Sequence, residues 1–311
     1  MIIYTDNPEY ATNTLIPSIA FHQHNPKTNE TEYTYLIQRF FTDGKIYETE
    51  YSFPSIFTCL FVKQFSPSSQ FDQLIEYSRR VNQIKGGILC FSGSGKDFHG
   101  FHQREWASLD GNIHLSILLQ PERRVDHANA AFLILAANAV TKTINDLEKI
   151  QSKASIHWVN DILIEQQKVS GVLVQSQVRG EITEKVVIGI GINVEKKPEL
   201  RSDPFVKAAT AINCHVENKK HYVIREILWP LVINLEKQYV TLMENRYFDL
   251  LDSYIKHSLI IGKVVEVYSD PREGSPERVT MGKVISITED LELILEGVEH
   301  PVRKGRVKIF D

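Results

Sequence analysis

Apolar positions follow two periods along this chain, and the switches between them mark out its parts. From His127 to Ile150 they recur at helical spacing, which predicts one long helix. Ser68 and Ser69 precede a second helical pattern with Phe71, Leu74, Ile75 and Ser78 on one face, serine being a favoured N-cap. Two amphipathic helices are expected between Val223 and His257, with Pro230 near the start of the first. Phe57 to Phe65, Gly87 to Phe91 and Asn112 to Leu119 read as strands. In the last, Ile113, Leu115 and Ile117 alternate with His114 and Ser116, which implies one buried face. Beyond Leu259, short β runs at 263–268, 282–287, 291–295 and 306–310 are separated by turns, the pattern of a small antiparallel barrel. The first 55 residues hold aromatic and β-branched runs, notably Tyr33 to Phe41, between Asn-Pro, Asp-Gly and Phe-Pro punctuation, which predicts hairpins.

The densest chemistry lies between Ile156 and Val194, where three apolar strands carry polar groups or glycines at defined places. Asn160 and Asp161 interrupt the run between Trp158 and Ile162, where deep burial is expected. An unpartnered amide or carboxylate there costs a few kcal/mol, so either a backbone turn or a ligand must satisfy them. Gly189 and Gly191 remove side chains from an otherwise dense strand, which points to close approach by another backbone or a flat ligand, or to a bulge. Upstream, Ser92 to Trp106 forms a glycine-rich connection with Lys96, His99, His102 and Arg104. It is not a nucleoside-triphosphate P-loop, because Cys90 stands where the first glycine belongs and Asp97 where a Ser or Thr would hold magnesium. What remains is a loop able to wrap an anion with backbone N–H groups and charge, against an ordinary surface connection.

Composition narrows the function without naming it. With 311 residues and 42% hydrophobic content the chain can build real cores in two or three domains. A net charge of −4 offers no global drive toward nucleic acid or an anionic membrane, and no helix-turn-helix pattern is present. Cys59, Cys90 and Cys214 are odd in number and set in apolar runs, so they read as buried thiols in a reducing cytoplasm. No apolar run approaches the ~18 residues of a membrane span, and the start MIIYTDNPEY lacks the order of a signal peptide.

Taken in order, the motifs resemble the biotin–protein ligases of the biotin and lipoate ligase superfamily. Trp158-Val-Asn160-Asp161-Ile162 is similar to that family's K-W-P-N-D-I, Lys168-Val-Ser-Gly171-Val-Leu to its K-L-A-G-I-L, and Gly189-Ile-Gly191-Ile-Asn193-Val to its G-I-G-I-N-V. Trp106 to Ser116 resembles W-x-S-P-x-G-x-N-L-Y-L-S, and Ser68-Ser69-Gln70 falls where the family has S-T-N. The likeness runs from about residue 56 to 311 and leaves residues 1–55 as an extension of unknown role. It implies an α+β fold: a mixed, largely antiparallel sheet backed by helices over 56–258, as in class II synthetases, and an SH3-like barrel over 259–311.

The resemblance further implies a two-step reaction, in which the biotin carboxylate attacks the α-phosphate of ATP and a carrier-protein lysine then attacks the biotinyl-5′-AMP. Both reactants of the first step are anions, so fixed positive charge and Mg²⁺ are needed. By the same resemblance, His157, Lys96 and Lys168 are the catalytic candidates. Ser68, Ser69, Gln70, Gly95, His99, Gly100, Phe101, Arg104, Trp106, Asn160, Asp161 and Gly171 are the substrate-binding ones, and Gly191 and Asn193 stand near the nucleotide. The sequence departs from the family at two places. His99 and Phe101 occupy arginine positions of the loop G-R-G-R-x-G-R-x-W, and His157 replaces the signature lysine. Three activities are therefore weighed: a divergent biotin–protein ligase serving a carboxylase carrier domain, a weak or inactive relative that binds biotin, an adenylate or a carrier, and a lipoate or octanoate enzyme. Homodimer formation by sheet extension is left open.

Overall fold

A computed structural model of the chain describes residues 1–25, 32–42, 44–150, 152–199, 205–206, 208–216, 221–271 and 274–310. Its elements, in chain order, begin with β1 (Ile2–Thr5), α1 (Pro8–Thr14), β2 (His22–Gln23), α2 (Thr34–Phe40) and β3 (Tyr47–Glu50). There follow β4 (Phe57–Ser66), α3 (Gln70–Arg80), β5 (Gly87–Gly95), β6 (Ile113–Leu119), β7 (Arg123–Arg124) and α4 (Ala128–Asn145). The signature strands are β8 (Ala154–His157), β9 (Asp161–Ile164), β10 (Gln167–Arg179) and β11 (Ile182–Ile192). Helices α5 (Ile224–Met243) and α6 (Tyr247–His257) lead into β12 (Val264–Tyr268), β13 (Arg278–Ile287), β14 (Leu293–Leu295) and β15 (Arg306–Ile309).

Ten strands run in the order β2-β3-β1-β4-β5-β6-β11-β10-β9-β8, with β7 paired to β11. Only the β1–β4 and β4–β5 pairs are parallel, so the sheet is mixed and mostly antiparallel, as expected. Helices cover both of its faces. One apolar cluster joins Ile113, Leu115 and Ile117 to α4, α5 and α6; the other joins Leu118 to Phe71 and Leu74 of α3 and to Leu36 and Ile37 of α2. Every residue of β6 is consequently buried, which corrects the expectation of a single buried face. Ser69 caps α3 as expected, its Oγ accepting from the Asp72 N–H at 3.3 Å.

The amino-terminal segment departs most from the sequence reading. Tyr33 to Phe41 does not form a hairpin strand: Thr34–Phe40 is a helix whose Leu36, Ile37 and Phe40 point inward, Phe40 stacking on Phe61 at 5.2 Å. Those positions are helically spaced, and packing overrides the β preference of the run. Pro26 and Asp43, part of the expected turn punctuation, lie outside the described residues. The sheet continues across position 55, because β1 pairs with β4 and Ser55 Oγ donates to Glu236 of α5 at 2.7 Å.

The last four strands pair as β14-β13-β12-β15 in a separate antiparallel sheet, compatible with an SH3-like unit. It is tied to the core where Trp158 Nε1 donates to Leu291 O at 2.7 Å. Cys59 and Cys90 are buried, whereas Cys214, expected to be buried as well, is exposed on a short 3-10 turn. Among the described residues, no helix is long and apolar enough to cross a membrane.

Candidate active site

Strands β6, β10 and β11 present glycines and small polar side chains toward the α3 side of the sheet, and there a cavity of about 1170 Å³ opens. The glycines make room for aromatic rings. A Cβ on Gly191 would overlap the Trp106 indole, and one on Gly189 would stand 3.1 Å from Phe71. This corrects the expectation of a second backbone or a flat ligand: this chain's own indole fills the space above Gly191. Trp106 Nε1 donates to His114 Nδ1 at 3.2 Å, so the His114 proton sits on Nε2, which donates to Leu109 O at 3.2 Å. Burial lowers the His114 pKa to about 4, and the imidazole stays neutral as a fixed wedge behind the indole.

Beside the indole lies the cavity's central ion pair. Lys168 Nζ stands 2.6 Å from Asp161 Oδ1 and 5.7 Å from the centre of the Trp106 ring. The β9–β10 ladder sets Asp161 opposite Gly171, and a shift of register between Lys168 and Ser170 accompanies the approach. Asn160 is satisfied by backbone, its Nδ2 donating to Val172 O at 2.7 Å while Val172 N–H donates to Asn160 O at 3.0 Å. Of the two solutions expected for the polar insert, a backbone turn serves Asn160, whereas Asp161 is met by neither a turn nor a ligand but by the Lys168 ammonium. His157, buried at the end of β8 and in register with Asp161, lines the same cavity.

The connection from β5 to β6 forms the rim. Ser92 to Gly95 are not part of a loop, for β5 runs through them and pairs with Lys63 to Ser66. The loop proper therefore begins only after Gly95. Past Gly95 the chain folds into a narrow loop, with Gly100 N–H on Arg104 O at 2.8 Å and Trp106 N–H on Phe98 O at 2.8 Å. His99 Nε2 meets Asp72 at 2.9 Å, and Arg104 and His102 both face Asp270 of the carboxy-terminal unit, at 3.4 and 3.5 Å.

Against known proteins, residues 72–193 match the profile of the biotin/lipoate A/B protein ligase family. That likeness runs from within α3 to the end of β11. It is 28% identical over 218 residues to the bifunctional ligase/repressor BirA of Bacillus subtilis, an alignment covering 69% of this chain and 63% of the relative. The chain thus spans less than two thirds of that relative's length. A biotin--[acetyl-CoA-carboxylase] ligase of Paracoccus denitrificans is 29% identical over 109 residues, 35% of this chain and 43% of its own. Among solved structures, the biotin protein ligase of Aquifex aeolicus in complex with biotin and ATP superposes with a TM-score of 0.60 at 19% identity, over 81% of this chain and 98% of that one. A biotin protein ligase-like protein of unknown function from Silicibacter sp. TM1040 reaches 0.57 at 12% identity, over 82% and 97%. These two likenesses concern the fold.

Most of the residues assigned through the family motifs meet at this one cavity. His157, Asn160, Asp161, Lys168, Gly171 and Gly191 line it from the sheet, and Ser69, Gln70, His99, Gly100, Phe101, Arg104 and Trp106 from the α3 end and the loop. Within that set Ser69 is engaged as a helix cap and Gln70 Nε2 donates to Ser92 Oγ. Four residues lie elsewhere. Lys96 is exposed outside the cavity; Ser68 Oγ accepts from Gln73 Nε2 at 2.5 Å; and Gly95 is packed tightly, a Cβ there meeting Ser66 O at 2.6 Å. Asn193, expected near the nucleotide, is buried in the framework instead, its Nδ2 donating to Thr210 O at 3.0 Å beside Asn112. Sequence reasoning missed His114 as a site residue, although its polar place within an apolar strand was the available signal. It also missed the carboxy-terminal wall, for which no local signal exists.

Proposed function

We propose that this chain is a member of the biotin and lipoate ligases and, within them, an ATP-dependent biotin–protein ligase that forms biotinyl-5′-AMP and passes biotin to a lysine of a carboxylase carrier domain. One observation carries the reading: motifs separated by more than fifty residues converge on a single cavity whose apolar, indole-lined side meets the Lys168 ammonium. The names of the relatives support it, since one is a biotin--[acetyl-CoA-carboxylase] ligase and one solved neighbour is in complex with biotin and ATP. The Trp106 indole and the small side chains around it suit a compact bicyclic ligand, while Lys168 is placed to stabilise charge where carboxylate and phosphate would approach. Two anions brought together in a partly dry cleft repel strongly, and a fixed ammonium lowers that cost. His157 shares the site with Lys168 and is the residue aligned with the family's lysine.

Among the described residues no group of three metal-ligating side chains occurs. A magnesium ion would be carried on the nucleotide phosphates with one or two carboxylates, and Asp161 is a carboxylate that lines the cavity beside Lys168. Its chemistry is charge neutralisation on the departing pyrophosphate. The buried thiols of Cys59 and Cys90 accord with action in a reducing cytoplasm.

A second reading has its own support. On the core side of the cavity the lysine and the arginine are already paired, Lys168 with Asp161 and Arg104 with Asp270, which suits a protein that binds biotin or an adenylate without turnover. Mass spectrometry of a purified carrier domain incubated with the chain, biotin and ATP separates the two. We expect one biotinyl amide on the acceptor lysine; an unchanged acceptor alongside tight biotin binding would favour the second reading.

A further inference from the structure

The cavity has a far wall that belongs to the carboxy-terminal unit, and that wall is basic. The segment from Val302 to Arg306 lines it with Arg303, Lys304 and Arg306. Both ends of this turn are secured. Val302 and Leu293 exchange backbone hydrogen bonds of 2.8 and 2.9 Å, and Arg306 enters the β12–β15 ladder opposite Tyr268. Gly305 sits at φ +140°, against Tyr268 O so closely that a Cβ would overlap it, so the turn is held to one path. Arg303 is held by Glu292 at 2.9 Å, and the Arg306 guanidinium lies 4.0 Å over the Phe205 ring. Lys304, at the tip, has no side-chain hydrogen bond or ion pair among the described residues. The carboxylates in the same wall are occupied, Asp270 by Arg104 and His102 and Asp290 by His127 at 2.8 Å.

We infer that Lys304, presented by this secured turn, is the cation that receives the polyphosphate of the nucleotide. The inference rests on the ATP-using reading above and deepens it. On the core side of the cavity Phe101 has no charge, His99 is taken by Asp72, and Lys168 is taken by Asp161. A triphosphate entering the cleft therefore finds its uncommitted ammonium on the opposite wall. Lysine serves this purpose as a compact point charge, without the fixed fork that arginine requires. The carboxy-terminal unit would then complete the site, so that nucleotide affinity depends on residues more than a hundred positions from the signature motifs.

Calorimetric titration of the full chain with magnesium pyrophosphate and with α,β-methylene-ATP tests this. Lys304→Ala should weaken both by about tenfold, the loss expected for one charged hydrogen-bonding group, and Lys304→Glu by more. Lys304→Arg should recover most of the affinity. Biotin binding should not change in any of them, nor should nucleotide binding in Lys308→Ala, which removes an exposed lysine of β15 outside the cavity. Wild-type affinity of Lys304→Glu for both probes would overturn the inference, including the case in which only transfer to the carrier falls and the turn docks the acceptor instead. If the unaltered chain binds biotin but neither probe, the ATP-using reading itself falls, and this inference with it.

Discussion

At the scale of single residues, the site depends on side chains held by partners of one protonation state. His114 accepts from Trp106 and donates to Leu109, and burial lowers its pKa from the ordinary 6.5 to about 4. The unfolded chain therefore takes up a proton near pH 6.5 while the folded one does not until about pH 4. Stability contributed by the neutral ring is complete above that window and is lost as pH falls through it. Denaturant titrations at pH 7 and pH 4.5 should differ by about 2–3 kcal/mol from this group, and His114→Gln should flatten the dependence. An unaltered slope in that variant would mean another group titrates. Lys168 carries a different expectation: Lys168→Met should cut adenylate formation about 100-fold or more with the fold kept, because a preorganised charge is removed from the reacting anions. For His157, Ala should remove activity and Lys should retain or raise it; a fully active Ala variant would show that the charge comes from elsewhere.

At the scale of elements, strand β11 is shaped for the ring that lies on it. Gly191→Ala should displace the Trp106 indole and cost about 1–3 kcal/mol, and adding Trp106→Ala should restore much of the loss. Strictly additive effects in that cycle would contradict the packing described. Asn112 performs a comparable service at the strand's end, its Oδ1 accepting from the N–H groups of Val194, Glu195 and Lys196 at 3.0 to 3.2 Å. Asn112→Ala should therefore lower stability by about 2–3 kcal/mol as measured by thermal unfolding, and the neighbouring Asn193→Ala should act on stability more than on ATP affinity. Elements with strong periodicity were legible from sequence: α3 with its serine cap, α4, and the last two of the three signature strands, whereas the first is split by a turn at Trp158 to Asn160 into β8 and β9. Helix α2 was not, because aromatic and β-branched residues mask the spacing of Leu36, Ile37 and Phe40. The end of β5 was hidden by its glycines, which usually punctuate strands but here pair with β4.

At the scale of the whole molecule, the motifs carry the family resemblance because they are local, while the site is closed by contacts no local pattern reveals. Lys96 lay in the expected loop yet points outside the cavity, whereas Asp270, distant in sequence, holds Arg104 across the junction of the two units. That ion pair is partly exposed, so Asp270→Asn should change stability by less than about 1 kcal/mol. It should nonetheless free Arg104 and tighten nucleotide binding, read as a lower KM for ATP with the KM for biotin unchanged. The parallel joining of β1 to β4 was equally invisible, since it depends on pairing across more than fifty residues. A biotin ligase of the kind proposed activates its acid on ATP and prefers biotin. Pyrophosphate release measured with biotin, lipoate and octanoate in parallel, each with Mg²⁺ and ATP, tests it most directly. Release should depend on biotin and be much slower with the two acyl-chain acids; no release with any acid at high enzyme concentration, or a preference for lipoate, would overturn the proposed activity.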